Sequence, residues 1–191
     1  MYATKADAEL SWTQPEPSLS LELIRQATPR GRVIDVGGGS SPLAGLLLDE
    51  GYDVAVLDVS EAALNRAKEK LGPRAASVRW IIADVTAAPA LGEFDVWHDR
   101  AVFHFLTEAR DRERYLALLE RRVPIGGHAV VATFAEDGPE KCSGLPVRRY
   151  SAEQLAAEVG AAFRAVRSER ERHMTPWGKE QSFQYSLFER I

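Results

Sequence analysis

The sequence predicts an α/β fold, a largely parallel sheet with helices on both faces. Three observations carry that expectation. Short apolar runs of strand length alternate with longer segments of helical periodicity. The runs are nearly continuous in apolar residues, as in strands covered on both sides. The C-terminal stretch breaks the alternation with two extended segments around one turn, which predicts a terminal hairpin and an antiparallel strand at the edge of the sheet.

Taken in order, RVIDV over Arg32–Val36 is the first strand, and it stops at Gly37, Gly38 and Gly39. Ser41 is placed to cap a helix with Pro42 at its first position, Leu43, Leu46 and Leu47 repeat at helical spacing, and Gly51 ends it. DVAVL over Asp53–Leu57 is the second strand, with Asp58 following. Ser60 caps a helix whose Leu64, Ala67 and Leu71 share a face, stopped by Gly72 and Pro73. Val78–Ile82 is the third strand, with Asp84 just beyond it. Phe94–Trp97 is the fourth, which places His98, Asp99 and Arg100 past its end. A helix runs from Thr107 to about Arg122, and the fifth strand over His128–Phe134. Ser151 and Gln154 form a capping box for a helix reaching about Gly160. Phe163–Arg172 and Gln181–Arg190 are the hairpin, turning at Thr175–Gly178.

At roughly 150 residues per domain, the 191 residues make one domain with elaborations. We divide it into an N-terminal arm or lid over residues 1–20, marked by Trp12, Pro15 and Pro17, a cofactor-binding core over 31–134, a long loop suspected of function over 136–149, and the hairpin over 161–191. Hydrophobic residues at 45% and charged ones at 27% exclude a disordered or fibrous chain. With 24 basic and 28 acidic residues the net charge is −4, which argues against a nucleic-acid partner. No apolar run approaches the ~20 residues of a membrane span. The absence of a secretory pattern and the single Cys142 lead us to expect the reducing cytoplasm.

Ligands of open α/β sheets bind beyond the carboxyl ends of the strands, where three aspartates fall here. Any one of them also suits the capping of a following helix, but three beside a glycine turn point to a ligand. Asp58 can accept two hydrogen bonds from a ribose diol, and Asp84 one from an exocyclic amine. A dinucleotide fingerprint needs a glycine where Pro42 stands. Asp35 beside the glycine turn would repel a pyrophosphate, yet it suits a ligand with cationic sulfur and ammonium. S-adenosyl-L-methionine has those charges, the diol and the amine, and no phosphate. No metal-ligand cluster is evident.

VIDVGGGSSPLAGLLLDEGYDVAVLDVS resembles the first motif and following acidic strand of the class I S-adenosylmethionine-dependent methyltransferases. IIADV resembles their adenine motif, and FDVWHDRAVFHFL their fourth-strand motif. The resemblance covers about residues 31–134. It implies a Rossmann-like, doubly wound, seven-stranded sheet with an antiparallel last strand. It places Asp35, Gly37 and Gly39 near the methionine part, Asp58 on the ribose and Asp84 with Val85 at the adenine, with Val59 also at the cofactor. Ser41 stands where many members have a third glycine. The run His98, Asp99, Arg100 and the segment GPEKCSGLPVRRYSAEQLAAEVG are similar to thiopurine methyltransferase and its bacterial relatives. Trp12 followed by a helix resembles lysine methyltransferases that modify other proteins.

Asp99, Arg100 and His104 are the expected catalytic group, because the acceptor must approach past the fourth strand. Asp99 is also expected at the cofactor, and Trp12 is expected to close over it. His104, between Phe103 and Phe105, reads equally as a ring buried among aromatics, and His98 as core-bonded or functional. Methyl transfer to a small-molecule acceptor leads. Methylation of a protein lysine is the alternative, and a non-catalytic nucleotide-binding module the third reading.

Overall fold

A computed structural model describes residues 17–87, 89–175 and 177–191. Trp12 and most of the N-terminal arm lie outside the described residues. Helix α1 (Ser18–Ala27) leads into β1 (Arg32–Val36), α2 (Leu43–Asp49), β2 (Asp53–Asp58), α3 (Glu61–Leu71) and β3 (Val78–Ile82). Then follow β4 (Val96–Arg100), α4 (Ala109–Arg122), β5 (His128–Phe134), the two-residue strands β6 (Lys141–Cys142) and β7 (Leu145–Pro146), α5 (Ala152–Val159), β8 (Phe163–Met174) and β9 (Glu180–Arg190). The main sheet has seven strands in the order β3-β2-β1-β4-β5-β9-β8. Six share one direction, five of them paired as parallel neighbours, and β9 alone runs antiparallel, to both β5 and β8. The antiparallel last strand therefore lies one place in from the edge, and β8 forms the edge itself. The outer strand can afford its run of alternating Arg and Glu, which discourages pairing with another chain.

Two apolar layers cover the sheet. On one face Leu23 and Ile24 of α1 and Leu43 and Leu47 of α2 pack on Val33, Val54 and Val96. On the other, Tyr115, Leu118 and Leu119 of α4 and Leu155 of α5 pack on Ile34, Val36 and Trp97. Because successive strand residues point to opposite faces, Asp35 shares the α1 side with Val33.

Local signals act as expected at most helix ends. The Ser60 hydroxyl accepts from the Ala63 amide, and both arms of the Ser151–Gln154 capping box are formed. Pro42 occupies the cap position of α2, and Ser41 accepts from the Leu43 amide at 3.2 Å. Two expectations need correction. The fourth strand starts later and ends later than expected, so His98, Asp99 and Arg100 are strand residues. Its pairing with β1 sets this: Val33 to Val36 lie opposite Val96 to Asp99. Residues 18–20, expected in the arm, are the first turn of α1, where Ser20 is buried.

Candidate active site

The strand order reverses direction between β1 and β4, which opens a crevice at their carboxyl ends. A cleft of about 680 Å³ occupies it, with Val36, Gly37, Asp58, Asp84, Val85 and Phe105 among its walls. Val59, Ala101, Val102 and Leu106 add apolar surface, and Cys142, Ser143 and Leu145 from the 141–146 hairpin complete the wall. A smaller cavity of about 50 Å³ adjoins it, lined by Pro17, Ser20, Asp35, Gly37, Gly38, Ser40, His98 and others. Gly37 and Arg100 border both spaces.

Gly37 has φ of 70°, a left-handed conformation costly for a residue with a side chain. A Cβ there would also lie 2.1 Å from Cγ2 of Val102, so the loops after β1 and β4 meet at this glycine. Gly38 is tight for another reason: its Cβ would stand 2.4 Å from an Asp35 carboxylate oxygen.

Asp58 ends β2 with its carboxylate facing the cleft, accepting from the Ser60 amide at 2.8 Å and from the Gly39 and Val59 amides. Burial raises its pKa, partly offset by those donors. A carboxylate has about four acceptor positions, so capacity for one hydroxyl of a diol remains. Asp84 is exposed and takes both the amide and hydroxyl of Thr86 at 2.8 Å, capping the turn Val85–Ala87. Asp35 is 3% exposed and accepts from His98 Nδ1 at 2.7 Å.

The expected catalytic group does not assemble. Asp99 and Arg100, being neighbours in a strand, point to opposite faces. The Asp99 side chain is 0% exposed on the α4 side. It accepts from Tyr115 Oη at 2.6 Å, the Val102 amide at 2.9 Å and the Phe103 amide at 3.1 Å. Burial lifts its pKa to about 6 despite these donors. It borders neither space, and its carboxylate accepts from the backbone of the turn Phe103–Phe105. His104 is 0% exposed, with rings of Phe105 and Phe134 against it and its Nδ1 accepting from the Phe134 amide at 3.3 Å. Burial, with help from the Arg100 charge, pushes its pKa down to about 3. The ring is fully enclosed and borders neither space.

Arg100 alone of the three borders the site. Its Nε donates to Tyr185 Oη at 2.8 Å, its guanidinium sits 4.3 Å from the Phe183 ring centre, and Glu171 lies 3.9 Å from Nη2. Sequence reasoning missed the bond partners of His98, the role of Tyr185, and Ala101, whose φ of 72° lets the chain turn off β4 at the cleft lip. Nothing about an alanine signals positive φ. Cys142, Ser143 and Leu145 fall in the loop flagged by its length alone.

An elongated crevice with a carboxylate at β2, apolar walls beside it and a polar end at the glycine turn defines the class of nucleoside-binding, Rossmann-like transferases. A methyltransferase-domain family model matches residues 33–127, and the fold is that of the class I S-adenosylmethionine-dependent methyltransferases. The matched methyltransferase domain favours the catalytic reading over a non-catalytic nucleotide-binding module. Among curated proteins it is similar to the eEF1A lysine and N-terminal methyltransferase of Danio rerio, 26% identical over 141 residues, which are 71% of this chain and 20% of that protein. The chain thus spans about a fifth of that relative's length. Its fold resembles a structure solved for the conversion of a disulfide bond into a thioacetal group during echinomycin biosynthesis (TM-score 0.76, 21% identity, covering 99% of this chain and 89% of that one). It also resembles the Burkholderia thailandensis 1,6-didemethyltoxoflavin-N1-methyltransferase, with its substrate and S-adenosylhomocysteine bound (TM-score 0.73, 18% identity, 100% and 80%). At these identities the likeness is one of fold.

Proposed function

We propose that this methyltransferase acts on a small-molecule acceptor. The carrying observation is the wall contributed by the 141–146 hairpin, whose Cys142, Ser143 and Leu145 line the same cleft as Gly37 and Asp58. A cleft walled on that side suits a compact acceptor better than a protruding protein side chain. The adenosine end of the cofactor lies in the larger cleft, with Asp58 at the ribose diol, Val59 and Val85 against the adenine and Asp84 at its amine. The amino-acid end lies in the smaller cavity, with Asp35 and the backbone of Gly37 and Gly39 nearby. The donor set fits such a ligand: acceptors where it has hydroxyls and an amine, apolar surface where it is flat, and a carboxylate where it is cationic.

When bound, the cofactor supplies a methyl group activated by positively charged sulfur. The protein's task is then alignment and exclusion of water. Arg100, between the two spaces, faces the acceptor and orients it. Segment 136–149 closes over the site, and Pro17 and Ser20 at the start of α1 border the smaller cavity. Cytoplasmic residence agrees with a lone cysteine, here buried with its thiol pKa pushed up to about 11 by that burial. Among the described residues, no helix is long and apolar enough to cross a membrane.

The likeness to a lysine methyltransferase supports a second reading, methylation of a protein. An acceptor screen with radiolabelled cofactor tests both, using thiols, amines, hydroxylated aromatics and a size-fractionated cell extract. Label in the low-mass fraction supports the first reading, and label confined to protein replaces it with the second.

A further inference from the structure

Asp35, His98 and Ser20 form a line of buried hydrogen bonds joining three elements. His98 Nδ1 lies 2.7 Å from Asp35 Oδ1, and His98 Nε2 lies 2.9 Å from Ser20 Oγ. The three residues are 3%, 2% and 1% exposed. Asp35 and His98 are register partners in the β1–β4 pair, so the sheet itself delivers one to the other. Ser20 comes from the first turn of α1. With the Nδ1 N–H donating to Asp35, Nε2 is left as an acceptor for the Ser20 hydroxyl.

The order serine, histidine, aspartate does not make Ser20 a nucleophile. Its hydroxyl is almost wholly buried and taken up by the histidine, so no exposed nucleophile is presented. The line borders the smaller cavity instead: Ser20, Asp35 and His98 all face it, with Pro17 on one side and the glycine turn on the other. Farther along α1, Leu21, Leu23 and Ile24 pack on the sheet and Glu22 and Arg25 pair with Arg167 and Glu50, whereas Ser20 is the buried polar anchor of the first turn. A directional hydrogen bond cannot slide, so Ser20 fixes where the first turn of α1 stands over the cavity.

We propose that His98 and Ser20 are positioning residues that set the shape of the cavity receiving the amino-acid end of the cofactor, through Asp35 on one side and α1 on the other. The proposal rests on the placement of the cofactor given above. Calorimetry with two ligands separates it from a general structural role. S-adenosylhomocysteine carries the amino-acid tail, whereas 5′-methylthioadenosine keeps the adenosine and sulfur without it. Ser20→Ala and His98→Asn, whose amide still donates toward Asp35 but falls short of Ser20, are compared with the parent chain.

Each variant should bind S-adenosylhomocysteine about tenfold more weakly, the scale of one lost buried hydrogen bond. Binding of 5′-methylthioadenosine should stay within about twofold, since its contacts lie in the larger cleft. Equal losses for both ligands, or no loss for either, overturn the proposal while leaving the cofactor's placement intact. A parent chain that binds neither ligand overturns that placement, and the proposal with it. If His98→Asn does not fold, Ser20→Ala, which removes a single hydroxyl, decides the matter alone.

Discussion

Asp58 and Asp99 are the same side chain, both buried and both with pKa raised by burial, yet they have opposite standing. Asp58 opens on the cleft with backbone donors at its back, whereas Asp99 is enclosed by Tyr115 and two amides on the far side of the sheet. The difference is one of strand parity. Asp58→Ala should weaken S-adenosylhomocysteine binding about tenfold to a hundredfold, as charge-assisted hydrogen bonds contribute roughly 1.5–3 kcal/mol. Circular dichroism should show the fold intact, and unchanged affinity in calorimetry would remove Asp58 from the ribose site. The sequence made Asp58 legible because an acid directly after an apolar run has a defined place at a strand end. It misplaced Asp99 because Phe94–Trp97 looks like a complete strand. Parity would have been the signal: were β4 extended through Arg100, His98 and Arg100 would share one face and Trp97 and Asp99 the other.

Among the elements, the local signals that proved legible are those a single turn can satisfy by itself. Capping boxes, glycine stops and apolar runs need no distant partner, so α3, α5 and the first three strands could be read directly. The polar lines could not be read, because Ser20 and His98 are 78 residues apart and Arg100 and Tyr185 are 85 apart. Two substitutions contrast the two kinds of information. Ser151→Ala removes the capping box of α5 and should cost about 1 kcal/mol of stability with cofactor affinity unchanged. Gly37→Val introduces a β-branched side chain at φ of 70° against Val102 and should abolish detectable cofactor binding. Thermal melts with and without S-adenosylhomocysteine report both. A ligand-induced rise in melting temperature that persists in Gly37→Val would show that the glycine turn does not border the cofactor.

At the scale of the whole molecule, β1, β2, β4 and β9 carry the polar residues of the site at one end of a sheet sealed by two apolar layers. Sealing has an electrostatic consequence that pH can read. His104 is held neutral, its pKa pushed down to about 3 from the usual 6.5, because burial penalises the imidazolium. On unfolding it regains its ordinary basicity, so its contribution to stability is complete above about pH 6.5 and is lost as pH falls toward 3. Asp99 works the other way. Its folded pKa of about 6 exceeds the usual 3.8, so its contribution is complete below about pH 4 and is lost as pH rises through 6. Between pH 4 and 6 the two oppose each other, each by at most about 1.4 kcal/mol per pH unit. His104→Asn keeps an acceptor where Nδ1 meets the Phe134 amide but takes up no proton. Its melting temperature should fall less on acidification from pH 7 to 4 than that of the parent, by roughly 2–4 °C per pH unit for a chain of this size. Asp99→Asn should fall more steeply than the parent over pH 6 to 4, since it lacks the group whose protonation supports the fold there. Scanning calorimetry at four pH values compares the three chains. Parallel curves would mean that neither enclosed group changes its proton affinity on folding, and the sealed-face account of both residues would then fail.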